Sequence, residues 1–168
     1  FGKAMGNGYA ITAVIGKESV MDSAQDSFIS STFWTERIGP AAAVKTIEEM
    51  EKIKSWEIIT NIGKKIRKNW EIIAKRNNIN IQISGIPALS SFAINSNNWF
   101  KYKTFITQEM LSSNILASNA IFVCTKHNKK ILDVYFNKLD EIFNKIDKFE
   151  NKTLDIDKFL KTDVCQVG

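Results

Sequence analysis

The segment Ile79-Asn80-Ile81-Gln82-Ile83-Ser84-Gly85-Ile86-Pro87-Ala88-Leu89-Ser90-Ser91-Phe92-Ala93-Ile94 changes its reading twice within sixteen residues. Its first six positions alternate isoleucine with Asn80, Gln82 and Ser84. That period of two is the mark of a strand with one face buried and one wet. Gly85-Ile86-Pro87 then supplies turn chemistry, and Leu89 to Ile94 is a second strand able to pair with the first as an antiparallel hairpin.

On either side of the hairpin the period becomes helical. Upstream, Pro40 suits a first helical turn and three alanines follow it. A long helical pattern runs from there to Asn77-Asn78, with a break expected near residues 55–61. Val44, Ile47 and Met50 form one stripe to be buried. Ile59, Ile62, Ile66, Trp70 and Ile73 form a second, at spacings of three and four. Downstream, a short helix is expected near residues 107–112, and residues 120–125 are a third apolar run. A strong closing helix is expected over residues 128–148, with Leu132, Tyr135, Phe136, Leu139, Phe143 and Ile146 on one face. Nearer the start, residues 10–15 are a β-branched run between Gly8 and Gly16 that reads as a buried strand. Lys17 to Met21 suits a helical turn, and the Ser/Thr-rich residues 23–35 read as an ordered loop. The sum is α/β to α+β, with long helices on a small antiparallel sheet.

At 168 residues, 44% apolar and 24% charged, the chain has the composition of an ordinary globular protein. No apolar run approaches the roughly 18 residues of a membrane span, and no secretion signal precedes the first strand, so a cytoplasmic location is expected. Cys124 and Cys165 lie far apart with no metal-ligand pattern, as reduced thiols would. The net charge of +5 raises the question of nucleic acid. The densest basic cluster, Lys64, Lys65, Arg67 and Lys68, is interleaved with Ile62, Ile66 and Trp70, which makes it the wet face of an amphipathic helix. Neither nucleic acid nor a membrane is expected as a partner. Phe1 has no methionine before it, and Phe1-Gly2-Lys3 reads as the middle of a longer chain.

Few residues suggest chemistry. Gly6-Asn7-Gly8 lacks the third glycine and the helix of a dinucleotide turn. His127, the lone histidine, has no ligand cluster around it and suits the start of a helix. No metal site is expected. Lys3, set just before a glycine turn, is placed as a Schiff-base lysine would be, where rigid backbone can present its amine.

Its surroundings carry a resemblance. Gly2-Lys3-Ala4-Met5-Gly6-Asn7-Gly8-Tyr9-Ala10-Ile11-Thr12-Ala13-Val14-Ile15-Gly16 resembles the cofactor-lysine signature of the class III pyridoxal-phosphate (PLP) aminotransferases, including the glutamate-1-semialdehyde aminomutases. About fifteen residues on, Ser31-Thr32-Phe33-Trp34 and then Gly39-Pro40-Ala41-Ala42-Ala43 are similar to that family's Thr-Phe segment and proline-led helix. The chain has Trp34-Thr35-Glu36-Arg37-Ile38-Gly39-Pro40 where the family commonly has glycine, asparagine and proline, a departure that bears on the substrate. Arg37 is open between a substrate carboxylate and a structural ion pair.

The resemblance implies the carboxy-terminal half of a fold-type I PLP-dependent transferase. Residues 1–40 would be a remnant of the large cofactor-binding domain, 41–76 connecting helices, and 77–168 the small carboxy-terminal α+β domain. It implies PLP as cofactor and Lys3 as the catalytic Schiff-base residue. Thr32 and Phe33 would bind the cofactor phosphate of a partner subunit, in a homodimer with shared active sites. The substrates would be an amino donor and a carbonyl acceptor. The phosphate turn, the stacking aromatic and the ring-nitrogen aspartate belong to the family's other half. Two alternatives stand: an intramolecular amino shift of the glutamate-1-semialdehyde 2,1-aminomutase type, and a non-catalytic basic helical binding module.

Overall fold

The structure is a computed structural model and describes residues 1–29, Thr32 and residues 35–166. It divides into two compact units, Phe1–Ser55 and Trp56–Gly168.

The second unit is built on the expected hairpin. Strand β1 (Ile81–Ile86) pairs antiparallel with β2 (Leu89–Ile94), in a register that runs from Ile81↔Ile94 to Ile86↔Leu89. That register leaves only Pro87 and Ala88 in the turn, so the strand continues through Gly85 and Ile86. Gly85 takes φ 80°, in the left-handed region. The third apolar run yields a strand only over β3 (Ala120–Phe122), which pairs with β2 on its other side. The sheet order is β1-β2-β3. Ile94 and Phe92 lie on the covered face, while Ser84 and Ser91 share a 2.9 Å hydroxyl contact on the other face.

Three helices accompany the sheet in sequence: α3 (Ser55–Arg76), α4 (Trp99–Ser112) and α5 (Lys129–Glu150). Of the α3 stripe, Ile66, Trp70 and Ile73 are buried and Ile62 packs against them. Helix α3 ends as its sequence suggests, with Lys75 and Arg76 at the negative end of the helix dipole and Asn78 at φ 56°. Gly63 is required there, because a Cβ on it would stand 1.9 Å from the Pro87 carbonyl oxygen. Helix α4 begins eight residues before the expected helix, at Trp99, so that Tyr102, Phe105 and Ile106 enter the core. Helix α5 is capped by the Asn128 side chain, which accepts from the Ile131 N–H at 3.1 Å. Its face of Leu132, Tyr135, Leu139, Phe143 and Ile146 is buried, with Phe136 partly so.

Aromatic rings fill the centre. Phe92 meets Trp70 at 5.0 Å and Phe143 at 5.7 Å between centroids, both edge to face. The Trp70 indole N–H donates to the Tyr135 hydroxyl at 2.9 Å. The polar groups at the rim are matched as well. Asp140 accepts from the buried Asn77 amide at 2.7 Å and from Arg76 at 2.8 Å. The buried Tyr102 hydroxyl closes no hydrogen bond of normal geometry. Burial, and after it the nearby Glu150 carboxylate, pushes its pKa up to about 12. Residues 156–165 run back along α4, held where Gln108 donates to the Phe159 carbonyl at 2.9 Å and Thr104 accepts from the Cys165 N–H at 2.9 Å.

The first unit departs from the sequence reading in two places. It contains a 3-10 turn (Lys3–Gly6), the short α1 (Glu18–Met21), a second 3-10 turn (Asp22–Asp26) and α2 (Ile38–Ile53). Residues 10–15 do not form the expected buried strand: Val14 is 67% and Ile15 71% exposed. A strand needs a neighbour to satisfy its N–H and C=O groups, and the described residues offer this one only the Ala13 N–H to Phe1 carbonyl contact, at 2.8 Å, and its reciprocal. The α2 stripe is also uncovered, with Val44, Ile47 and Met50 between 41% and 58% exposed. The break between α2 and α3 falls at Lys54 (φ 49°), one residue before the expected window.

Candidate active site

Lys3 opens the first 3-10 turn at φ 46°, and Asn7 closes it at φ 47°. Two left-handed non-glycine residues within five positions are unusual. Such backbone costs free energy and tends to persist where surrounding structure enforces it, often at functional sites. The turn is closed by the Met5 N–H to the Gly2 carbonyl and the Asn7 N–H to the Ala4 carbonyl, both 3.2 Å. The Lys3 side chain is exposed, and its amine makes no hydrogen bond or ion pair among the described residues. Gly8 follows at φ 107°, with nothing within 4 Å of where a Cβ would stand.

Behind the turn lies the start of α2, which the Glu36 carboxylate caps by accepting the Ile38 N–H at 2.7 Å. Gly39 and Pro40 form its first turn, and Gly39 is buried against the backbone of Ala10. The glycine-proline pair of the sequence motif therefore has a packing reason: only glycine lets the helix approach residues 10–11 this closely.

Thr32 is an exposed turn residue, and no hydrogen bond joins it to Lys3 among the described residues. Phe33, with Ser31 and Trp34, lies outside the described residues. Among the described residues no three side chains gather to hold a metal ion, and no helix is long and apolar enough to cross a membrane. His127 sits at the start of α5, where its Nδ1 accepts from the Cys124 N–H at 3.3 Å, the structural setting its sequence suggests. An apolar cavity of about 520 Å3 in the first unit, lined by Phe1, Met5, Ile15, Ile47 and Met50 among others, was not legible from the sequence. Its walls come from a segment read as a strand and from a stripe read as buried.

Comparison with solved structures gives the class. The chain superposes on the PLP internal aldimine form of the FumI protein from Sphingopyxis sp. MTA144 with a TM-score of 0.79 at 20% identity, covering 89% of this chain and 37% of that one. The fold is that of the PLP-dependent transferases, and the long helices with a three-stranded antiparallel sheet match a carboxy-terminal fragment of it. Sequence comparison finds relatives of one kind. A 3-aminobutyryl-CoA aminotransferase from Cloacimonas acidaminovorans is 30% identical over 138 residues, 79% of this chain and 33% of the relative. An aminopentol aminotransferase from Sphingopyxis macrogoltabida is 28% identical over 85 residues, 51% of this chain and 20% of the relative. A glutamate-1-semialdehyde 2,1-aminomutase from Methanosphaera stadtmanae is 22% identical over 157 residues, 83% of this chain and 37% of the relative. No family model matches the chain. Its homologues are class III PLP aminotransferases and an aminomutase, which bears out the resemblance read from the sequence. The chain spans between 20% and 37% of the length of the curated relatives it matches.

Proposed function

We propose that the chain is part of a PLP-dependent class III aminotransferase, which moves an amino group from an amine or amino acid to a carbonyl acceptor. The observation that carries this reading is the Lys3 turn: an exposed primary amine, unpartnered among the described residues, on left-handed backbone, in a chain 30% identical to an aminotransferase over 138 residues. Residues 1–40 would contribute to the large cofactor-binding domain, 41–76 would connect, and 77–168 would form the small domain. The two-fold dimer and the cytoplasmic setting belong to the same proposal.

The residues present fit that cofactor. Lys3 offers the exposed amine that an aldehyde needs, and the open side of Gly8 leaves room beside it. The exposed Thr32 hydroxyl, with the Phe33 backbone N–H, would bind a phosphate across the dimer. When bound, PLP supplies an electron sink for charge that develops on a substrate carbon. The part of this chain is narrower. Lys3 Nζ would hold the cofactor at rest and, once released by an incoming amine, carry a proton as general base and then general acid. Thr32 would anchor the phosphate, so that orientation survives while Lys3 is detached.

The test is borohydride reduction of the full-length, cofactor-loaded protein followed by digestion. The label is expected on Lys3, and Lys3→Ala is expected to remove turnover; a label on another lysine refutes the assignment. The aminomutase reading shares the Lys3 chemistry and is less supported, its representative being the more distant relative at 22% identity. Product analysis separates the two, because only a transaminase needs a second substrate.

A further inference from the structure

The Lys3 turn and α2 line a common cavity, and at its far end one side chain wedges between them. A Cβ on Gly6, the last residue of the turn, would stand 2.8 Å from Ile11 Cγ2. A Cβ on Gly39, in the first turn of α2, would stand 3.2 Å from Ile11 Cβ, 3.6 Å from Ile11 Cδ1 and 2.8 Å from the Ala10 carbonyl oxygen. Both glycines are buried, and Ile11 is half-buried between them. Two glycines thus leave the space that one isoleucine fills from either side. We propose that Ile11, gripped between Gly6 and Gly39, is a positioning residue that sets where the Lys3 turn stands against α2. The role in catalysis rests on Lys3 being the cofactor lysine; the grip itself does not.

The physical reason lies in what else is missing from this region. Among the described residues only the Phe1–Ala13 pair ties residues 10–15 to the start of the chain, and the hydrogen bonds of the Lys3 turn itself are all local: Met5 to Gly2, Asn7 to Ala4, Tyr9 to Gly6. Local bonds fix the shape of a turn but not its place. Its place comes from packing, and close packing transmits small displacements because a side chain has few alternative rotamers. The two contacts also differ in kind. At Gly6 the obstacle is the branch methyl of a side chain, which another substitution can remove. At Gly39 it includes a backbone oxygen, which no side-chain change relieves.

That asymmetry defines the experiment, made on the 168-residue chain. The variants are Gly6→Ala, Gly39→Ala, Ile11→Ala and the doubles Gly6→Ala/Ile11→Ala and Gly39→Ala/Ile11→Ala. Two quantities are read: amide hydrogen exchange at Met5, Asn7 and Tyr9, with amides of α2 as reference, and the pH profile of Lys3 reaction with salicylaldehyde, with Lys17 and Lys45 as references. Gly6→Ala and Gly39→Ala are expected to speed exchange in the turn by about threefold or more, the scale of coupling between touching residues, and to shift the Lys3 profile alone. Ile11→Ala is expected to restore the Gly6→Ala variant and not the Gly39→Ala variant. Unchanged exchange in both glycine variants overturns the grip. Faster exchange with an unmoved Lys3 profile overturns the positioning role, leaving a structural brace. If Lys17 and Lys45 change together with Lys3, the substitution has unfolded the whole unit. Ile11→Ala alone, which adds no atom, then decides: a change confined to Lys3 supports the role, and an unchanged Lys3 refutes it. A borohydride label on a different lysine would leave all these rates as they are, so the two readings fail separately.

Discussion

Residues Phe1–Ser55 and Trp56–Gly168 have similar raw material and opposite outcomes. The second unit encloses its aromatic and branched side chains: Trp70, Tyr102, Phe105, Leu139, Phe143 and Ile146 are all shut away from water. In the first unit Ala43 is the only described apolar residue beyond glycine that is buried, while Val14, Ile15, Val44 and Ile47 face solvent. Composition does not explain this, since residues 10–15 are as β-branched as β1. Closure does. The hairpin pairs with itself within sixteen residues and lies under three helices of its own unit, whereas residues 10–15 find only one backbone partner among the described residues. The residues proposed for chemistry all sit in the less enclosed unit.

This contrast can be broken most forcefully in the core. Phe143→Ala should cost about 3–5 kcal/mol, since it empties a ring site at the centre of the aromatic cluster, and urea unfolding followed by far-ultraviolet circular dichroism will show it. Val14→Ala should change the same midpoint by no more than about 0.5 kcal/mol, the range of surface substitutions. Equal effects would mean that the first unit has a hidden core.

Next in size is the effect on function rather than stability. In the full-length enzyme, Thr32→Ala should weaken PLP binding by about 1.5–3 kcal/mol, the scale of a hydrogen bond to a charged group, with no change in thermal midpoint. A variant with wild-type cofactor affinity would remove Thr32 from the site.

Limited proteolysis sharpens the contrast without mutation. Cleavage follows local opening, so early cuts should fall before Ser55 and leave a resistant piece covering the hairpin and α4 to α5. Mass spectrometry of the first fragments checks this; early cuts inside α5 would contradict it.

The smallest expected effect is acid sensitivity confined to the second unit. Burial pushes the Glu109 carboxyl up, but the Lys145 ammonium at 3.0 Å, with Gln108, outweighs it, so its pKa lies below the ordinary carboxylate value. A carboxyl depressed by folding adds stability that is complete above its unfolded pKa and is lost as pH falls through the lower folded value. Urea midpoints of Glu109→Gln should therefore fall less steeply with acid than those of the parent. An identical slope would show that the pair contributes nothing.

Much of the second unit was legible in the sequence because its signals are local. Ile79 to Ser84 alternate, Asn77-Asn78 stop a helix, and α5 shows an unbroken apolar face. What was misread depends on partners. The start of α4 was missed because Trp99, Tyr102 and Phe105 lack polar residues at regular intervals to mark a face. The strand at residues 10–15 was misread because a β-branched run signals the ability to pair, not the presence of something to pair with. The site was legible only through motif resemblance. Nothing in the spacing of Gly6, Ile11 and Gly39 announces that they meet, since their contact depends on how α2 returns to the turn.

The hydrogen bond from the Trp70 indole to Tyr135 has an optical consequence. Trp70 is fully enclosed, whereas Trp56 is 46% exposed. An indole shielded from water emits at shorter wavelength than a hydrated one, so among the described tryptophans the bluest emission belongs to Trp70, with the partly buried Trp99 beside it in the same unit. Fluorescence from Trp70 will change when α3 parts from α5 and the Trp70–Tyr135 bond opens.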